Sequence, residues 1–364
     1  MSFEATSAGL IDPNDFRAAV TARCLAVLDS LSPLFGNGDA VAELQAVTRP
    51  FLAGGKRTRA TLLLAGWCCA TDEPTSPAVS AGAALELFQA SALVHDDVID
   101  AAPTRRGLPA AHAAFAQRHK SADWTGDPSR FGTSAAITLG DLLLSEAVTE
   151  FARAGALVPS ARAQAATGVF HAMTLEVAYG QFLDIRAENL PLADPSTEGS
   201  NALTILRHKS ARYSVELPLI IGATLAGAHT DLLTGLSRVG APLGEAFQLR
   251  DDDLGIFGDP QTTGKPSGAD FSEGKRTVLL SLSRALASGS QRDWLEQNLG
   301  SPLNDDGVKH LRRIIIDCGA RQRHEDMINR REEEARSALA ELPARPVGTT
   351  LLSSLFDELS ARAR

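Results

Sequence analysis

Aromatic residues are few in this sequence: 5% of 364 residues, with three Trp and two Tyr. Sheets draw heavily on aromatic and β-branched side chains, so a chain that returns instead to Ala and Leu is expected to be helical. Cysteine is scarce too. Cys24, Cys68, Cys69 and Cys318 show no metal-ligand spacing and read as buried thiols of a reducing compartment. Basic charge is in deficit, with 35 Lys and Arg against 44 Asp and Glu and a formal net charge of −9. That argues against a nucleic-acid partner, because phosphate-backbone binding needs a basic face. Neither GxxxxGK[ST] nor a strand-linked GxGxxG occurs, which excludes the common nucleotide loops. The opening "MSFEATSAGLIDPNDF" lacks the basic and apolar regions of a signal peptide. The longest apolar run, "VELPLIIGATLAGA" at 215–228, contains Glu216 and Pro218 and is too short to cross a bilayer. A cytoplasmic protein with no integral membrane segment is expected.

Helical periodicity is what the chain does have. It runs over 14–34, 38–47, 56–70, 77–100, 134–155, 160–184, 202–228, 231–257, 276–288 and 305–341. Turn formers mark loops at 119–133, 187–200 and 258–274, and no alternating strand stands out. "RREEEARSALAEL" at 330–342 reads as a charged amphipathic helix with a solvated outer face.

Against this background "LVHDDVIDAAPTRRG", residues 93–107, is unusual: Asp96, Asp97 and Asp100 stand among Leu93, Val94, Val98 and Ile99. Buried carboxylates without partners are costly. A second cluster repeats the theme in "FQLRDDDLGIFGD" at 247–259, with Asp251, Asp252 and Asp253 after an apolar approach and Asp259 behind. Two carboxylate-bearing helices facing one another would repel unless divalent ions lay between them. Mg²⁺ takes one or two carboxylates plus substrate phosphates, so the pattern fits the walls of a site completed by a phosphate ligand. The cations agree. "GGKRTR" at 54–59 joins a glycine pair to Lys56, Arg57 and Arg59 at a helix start, a suitable place for an anion. Arg105 and Arg106 follow the first acidic cluster, Lys209 sits in "RHKSAR", and Lys265 and Lys275 flank a Gly- and Pro-rich stretch. So many separate cations exceed the need of one diphosphate and suit two. Singly, each motif has a plain reading, such as a solvated helix end or a C-cap glycine before an exposed basic turn. The conjunction is what carries the inference. His95 reads as a hydrogen-bond partner behind the carboxylates rather than a metal ligand.

In these motifs the sequence resembles the trans-isoprenyl diphosphate synthases, the polyprenyl synthetase family, most strongly over residues 40–290. "DDVID" and "DDDLGIFGD" are similar to that family's two aspartate-rich motifs, and "GGKRTR", "RRG", "GQFLD", "KSA", "FQ" and the two lysines follow in family order. Length alone would suggest two or three domains. The resemblance implies instead one large all-α domain, residues 1–364, of the isoprenoid synthase type around a deep central cavity, as a homodimer. It also implies Mg²⁺, three ions with substrate bound, held by Asp96, Asp97, Asp100, Asp251 and Asp252. Arg105, Lys209 and Lys265 would bind an allylic diphosphate (dimethylallyl, geranyl or farnesyl). Gly55, Lys56, Arg59, Gln89 and Arg106 would cradle isopentenyl diphosphate. Ser210 and Gln248 would line the reaction centre, Gln181 and Asp184 would support it, and Lys275 would add a further substrate contact. The sequence departs from the family in two places: Gly255 stands where many members have Asp, and Ser210 replaces the commoner Thr.

The implied activity is condensation of the two diphosphates to an all-trans polyprenyl diphosphate. A class I terpene cyclase has no use for a second diphosphate site, and a non-catalytic subunit of a heteromeric synthase would be expected to lose one acidic motif. For product length, Ala92, Phe88, Leu85 and Ala81 form a stripe leading away from the aspartates, with Ser91 at its edge. Phe88 is the first bulky member, and each turn adds ~5.4 Å, close to one isoprene unit. A floor there suggests geranylgeranyl diphosphate, with longer chains of about C25–C35 and farnesyl diphosphate as alternatives.

Overall fold

The computed structural model describes residues 12–36, 38–259 and 267–361. Lys265 lies outside them. The described chain is built almost wholly of helices. They are α1 (Pro13–Asp29), α2 (Leu31–Phe35), α3 (Asp39–Ala53), α4 (Thr58–Ala70), α5 (Ser76–Ile99), α6 (Ala111–Ser121), α7 (Pro128–Gly155), α8 (Ser160–Asn189) and α9 (Pro195–Leu206). A π-helical segment (Arg207–Glu216) follows, then α10 (Leu217–Leu225), α11 (Thr230–Phe257), α12 (Ala269–Ser272) and α13 (Val278–Leu286). α14 (Gly289–Asn298), α15 (Asp305–Asp317), α16 (Ala320–Ala340) and α17 (Pro346–Ser360) complete the chain.

Three helices begin on the same dipeptide. Asp12, Asp127 and Asp194 each accept a hydrogen bond from the backbone N–H two residues on, and each is followed by Pro at the first helical position. Two of these Asp-Pro pairs fall in the segments expected to be loops, 119–133 and 187–200. They open helices α7 and α9 there, because the turn former and the N-cap are the same residue. The expected single helix over 305–341 is two, broken after Cys318 by Gly319 in the left-handed region (φ 80°). A strand pair, which no alternation announced, is also present: Thr104–Arg105 (β1) pairs antiparallel with Leu108–Pro109 (β2).

The chain packs as two compact units. Unit 1 comprises Met1–Val169, Pro218–Leu233 and Ala344–Thr349; unit 2 comprises Phe170–Leu217, Thr234–Pro343 and Thr350–Arg364. In unit 1, α5 supplies the core, with Ala81, Leu85 and Val94 fully buried and Phe88 6% exposed. In unit 2, Ile256, Leu279, Leu280, Leu311, Ile314 and Ile315 gather around Phe271, whose ring stacks on Trp294 with centroids 6.1 Å apart. Among the described residues, Pro13–Phe35 and Ser76–Ile99 are long and apolar enough to cross a membrane. The second of these is mostly buried within unit 1 and behaves as a core helix.

Candidate active site

In unit 1 the first acidic motif ends a helix. Asp100 caps α5, and Ala101, in the left-handed region (φ 49°), closes the turn: its N–H bonds to the Val98 carbonyl and that of Ala102 to the Asp97 carbonyl. This is a Schellman ending with alanine at the position that glycine usually takes. Backbone strain at a non-glycine residue is the kind of cost that functional sites carry. Asp97 is fully buried. Its Oδ1 accepts from Arg105 Nε at 2.7 Å, and the same guanidinium reaches Asp96 Oδ2 at 3.3 Å. Burial pushes the Asp97 carboxyl above its ordinary value, Asp96 adds to the shift, and Arg105 opposes it. Oδ2 of Asp97 is buried without a hydrogen-bond partner.

The strand pair β1–β2 turns through Arg106 (φ 54°) and Gly107 (φ 76°). Two successive positive φ values are what a two-residue type I′ hairpin requires. Its effect is to send neighbouring arginines in different directions. Arg105 goes to Asp96 and Asp97, whereas Arg106 reaches the glycine turn of "GGKRTR": a Cβ on Gly55 would lie 3.0 Å from the Arg106 guanidinium. Burial draws Arg106 below its ordinary value; Arg105, Arg57 and Arg59 press in the same direction, and Glu86 opposes them. Several guanidiniums around one carboxylate leave an excess of positive charge suited to an anion.

The three cations of "GGKRTR" divide their work. Lys56 is exposed and Arg59 half-buried. Arg57 is structural: it is 4% exposed, sits in the left-handed region, and donates to Glu86 Oε2 at 3.1 Å, Thr21 Oγ1 at 3.0 Å and the Leu52 carbonyl. For this reason α4 starts at Thr58 and not at Lys56. Gln89 lies one turn after Glu86 on the same face of α5 as Asp96 and Asp100. Two neighbours turn elsewhere. Ser91 is buried with its hydroxyl on the Gly140 carbonyl of α7 at 2.7 Å. His95 is set against the Ile137 carbonyl of α7 at 3.2 Å, not behind the aspartates as expected.

In unit 2 the π-helical segment carries Lys209 and Ser210. Such wider turns are frequent at functional sites. Helix α8 comes close to it at Gly180, where a Cβ would stand 2.3 Å from the Lys209 backbone nitrogen, so only glycine fits. One turn on, Asp184 receives Lys209 Nζ at 2.5 Å, while Gln181 is half-buried beside them in sequence. On α11, Gln248 donates to Asp252. Asp252 is pushed well above the usual carboxylate range, first by burial and then by the charges of Asp270 and Asp251. Asp251 is exposed. Asp253 belongs to the structure: Arg321 grips both its oxygens at 3.0 Å. Asp270, on α12, was not anticipated. Its Oδ2 lies 2.1 Å from where a Cβ on Gly255 would be, so it brings a carboxylate into the space left by the departure from the family motif. Lys275 pairs with Glu273 at 2.8 Å and Asp270 at 3.7 Å.

Among the described residues, no three His, Cys, Asp or Glu side chains converge as a metal cage by themselves. The oxygen donors present nevertheless suit Mg²⁺, which completes its shell with water and phosphate. Asp97 has a buried oxygen without a partner, and Asp251, Asp252 and Asp270 form a mutually repelling set.

Each acid-rich helix end supplies oxygen donors of the kind that suit a divalent ion, and the guanidiniums of unit 1 supply charge suited to an anion. The sequence model described as polyprenyl synthetase matches residues 41–315, and the chain belongs to that family. It is a trans-prenyltransferase. It is 30% identical over 315 residues to the geranylfarnesyl diphosphate synthase of Aeropyrum pernix, covering 86% of this chain and 92% of that protein. It is 30% identical to the geranylgeranyl diphosphate synthase of Sulfolobus acidocaldarius over 73% of this chain and 74% of that one. Among solved structures, a geranylgeranyl pyrophosphate synthase from Corynebacterium glutamicum, complexed with isoprenyl diphosphate and magnesium, superposes with a TM-score of 0.90. That match has 33% identity over 97% of this chain and all of that one.

Proposed function

We propose that the chain condenses isopentenyl diphosphate with an allylic diphosphate and makes geranylgeranyl diphosphate or the next longer homologue. The observation that carries this is the divergence of Arg105 and Arg106, which gives unit 1 two separate anion stations from one dipeptide. Names of relatives support the length: geranylgeranyl and geranylfarnesyl diphosphate synthases are among the most similar proteins.

Asp96, Asp97 and Asp100 are residues that would hold Mg²⁺, as are Asp251 and Asp252 with Asp270. When bound, that ion neutralises charge on the departing diphosphate. Arg105, Lys209 and Lys265 bind the allylic diphosphate, with Lys275 nearby in sequence. Gly55, Lys56, Arg59, Gln89 and Arg106 hold isopentenyl diphosphate without metal. The allylic C–O bond breaks, leaving a cation that takes the electron pair of the isopentenyl double bond. A C–C bond forms, and the released diphosphate removes the proton that restores the alkene. Ser210 and Gln248 orient the reacting groups, and water is excluded because it would quench the cation. A homodimer in the cytoplasm, with three Mg²⁺ ions per site, completes the proposal.

The test is incubation of purified protein with Mg²⁺, isopentenyl diphosphate and each of dimethylallyl, geranyl and farnesyl diphosphate, with products identified by mass. A linear C20 or C25 diphosphate is expected. A cyclised hydrocarbon from a single substrate, or no product at all, overturns the reading in favour of a cyclase or a non-catalytic subunit.

A further inference from the structure

Helix α11 has two opposite working faces. At 100° per residue, Gln248, Asp251, Asp252 and Gly255 fall on one side, and Arg250, Asp253 and Phe257 on the other, about 180° away. The second face is pinned by α15 and α16 of unit 2. Arg250 pairs with Glu325 at 2.6 Å and Glu332 at 3.6 Å. Asp253, 7% exposed, receives both arms of Arg321 at 3.0 Å. Arg321 also lies over the Phe257 ring, 3.7 Å from its centroid. Arg312 caps the end of α11, donating to the Ile256 carbonyl at 2.8 Å and to Ser267 Oγ at 3.0 Å.

Stability alone does not account for this pair: Asp253 is buried but the Arg321 side chain is 44% exposed, and ion pairs so open to solvent are worth little. What a bidentate pair adds is direction. A roll of α11 by about 20° would carry a carboxylate some 6 Å from its axis through about 2 Å. Mg²⁺ demands near-ideal octahedral geometry and does not tolerate such a shift.

We propose that Arg321, through Asp253 and Phe257, is a positioning residue that fixes the roll of α11 and thereby sets how readily Asp251 and Asp252 take Mg²⁺. This rests on the metal-dependent reading above and adds to it α15 and α16, which carry none of the motifs.

The experiment compares Arg321→Met, Asp253→Leu, the double variant, Arg321→Lys and the control Asp251→Asn. Three quantities are read: melting temperature, the Mg²⁺ concentration for half-maximal turnover, and thermal stabilisation by Mg²⁺ with inorganic diphosphate in the absence of turnover. The double variant should melt within about 3 °C of the parent, yet need about tenfold more Mg²⁺ in both metal readouts, with KM for isopentenyl diphosphate unchanged. Arg321→Lys, which keeps the charge and loses the fork, should keep the parent stability and raise the Mg²⁺ requirement about threefold. It decides the matter if the apolar variants do not fold. A parent Mg²⁺ requirement in the folded Arg321 variants would show the pair to be purely structural and overturn the proposal. An unchanged requirement in Asp251→Asn sinks the metal reading itself, whereas a change there with none in the Arg321 variants sinks only the positioning role.

Discussion

Oδ2 of Asp270 occupies the ground on which a side chain at Gly255 would begin, 2.1 Å from the Cβ position. Restoring the family's aspartate by Gly255→Asp should therefore harm the enzyme. It would overpack the contact at a cost of about 1–3 kcal/mol and crowd another carboxylate beside Asp252. Turnover should fall about tenfold or more, and Gly255→Asp/Asp270→Ala should regain some of it. Full activity in the single variant would remove Asp270 from the site.

Lys56 is the exposed cation of "GGKRTR" and stands apart in sequence from both acidic motifs. Lys56→Ala should raise the KM for isopentenyl diphosphate by about 10- to 100-fold, the worth of a charged hydrogen bond, and leave that for the allylic substrate within about twofold. Equal effects on the two constants would argue for one shared anion site.

Phe88→Ala should lengthen the product by at least one isoprene unit, as read by mass spectrometry of the chains. Ser91 calls for a different expectation from the one its sequence position suggests. Because its hydroxyl is bound to the Gly140 carbonyl in the α5–α7 contact, Ser91→Phe should cost about 1–3 kcal/mol of stability before it alters chain length. Ala92→Phe, at a half-buried position, is the better probe for shortening. Unchanged lengths in both Phe88→Ala and Ala92→Phe would place the floor on another helix.

Burial lowers the His324 pKa from 6.5 to about 4. The folded protein thus keeps His324 neutral while the unfolded chain takes up a proton below pH 6.5, so stability falls as pH drops through that window. Urea unfolding at pH 5 against pH 7 should show a loss of about 2 kcal/mol from this residue. His324→Leu should flatten the difference. A parallel pH profile in the variant would assign the acid sensitivity to other groups.

The helices and both acidic motifs were legible in the sequence because periodicity and charge clusters are local signals. The features that were not legible depend on partners distant along the chain. Asp-Pro at 127–128 and 194–195 reads equally as turn or helix start, and only the following packed helix decides. Arg57 looks like a third ligand until Glu86 and Thr21 claim it. Asp253 looks like a third metal carboxylate until Arg321 arrives from 68 positions away. The hairpin at 104–109 is too short for any alternation to show. Asp270 could have been suspected from Gly255, since a missing carboxylate in a repelling set invites a substitute, but its approach is a property of the fold.

The left-handed backbone at Arg106 has a consequence for anyone seeking a hardier catalyst. Glycine or asparagine relaxes such a residue, and a screen that scores only heat resistance would favour either at this position. The winners of that screen would have lost the guanidinium beside Gly55. Thermal selection and turnover selection should therefore pull position 106 in opposite directions, and a library sorted by both would keep arginine there while improving sites elsewhere.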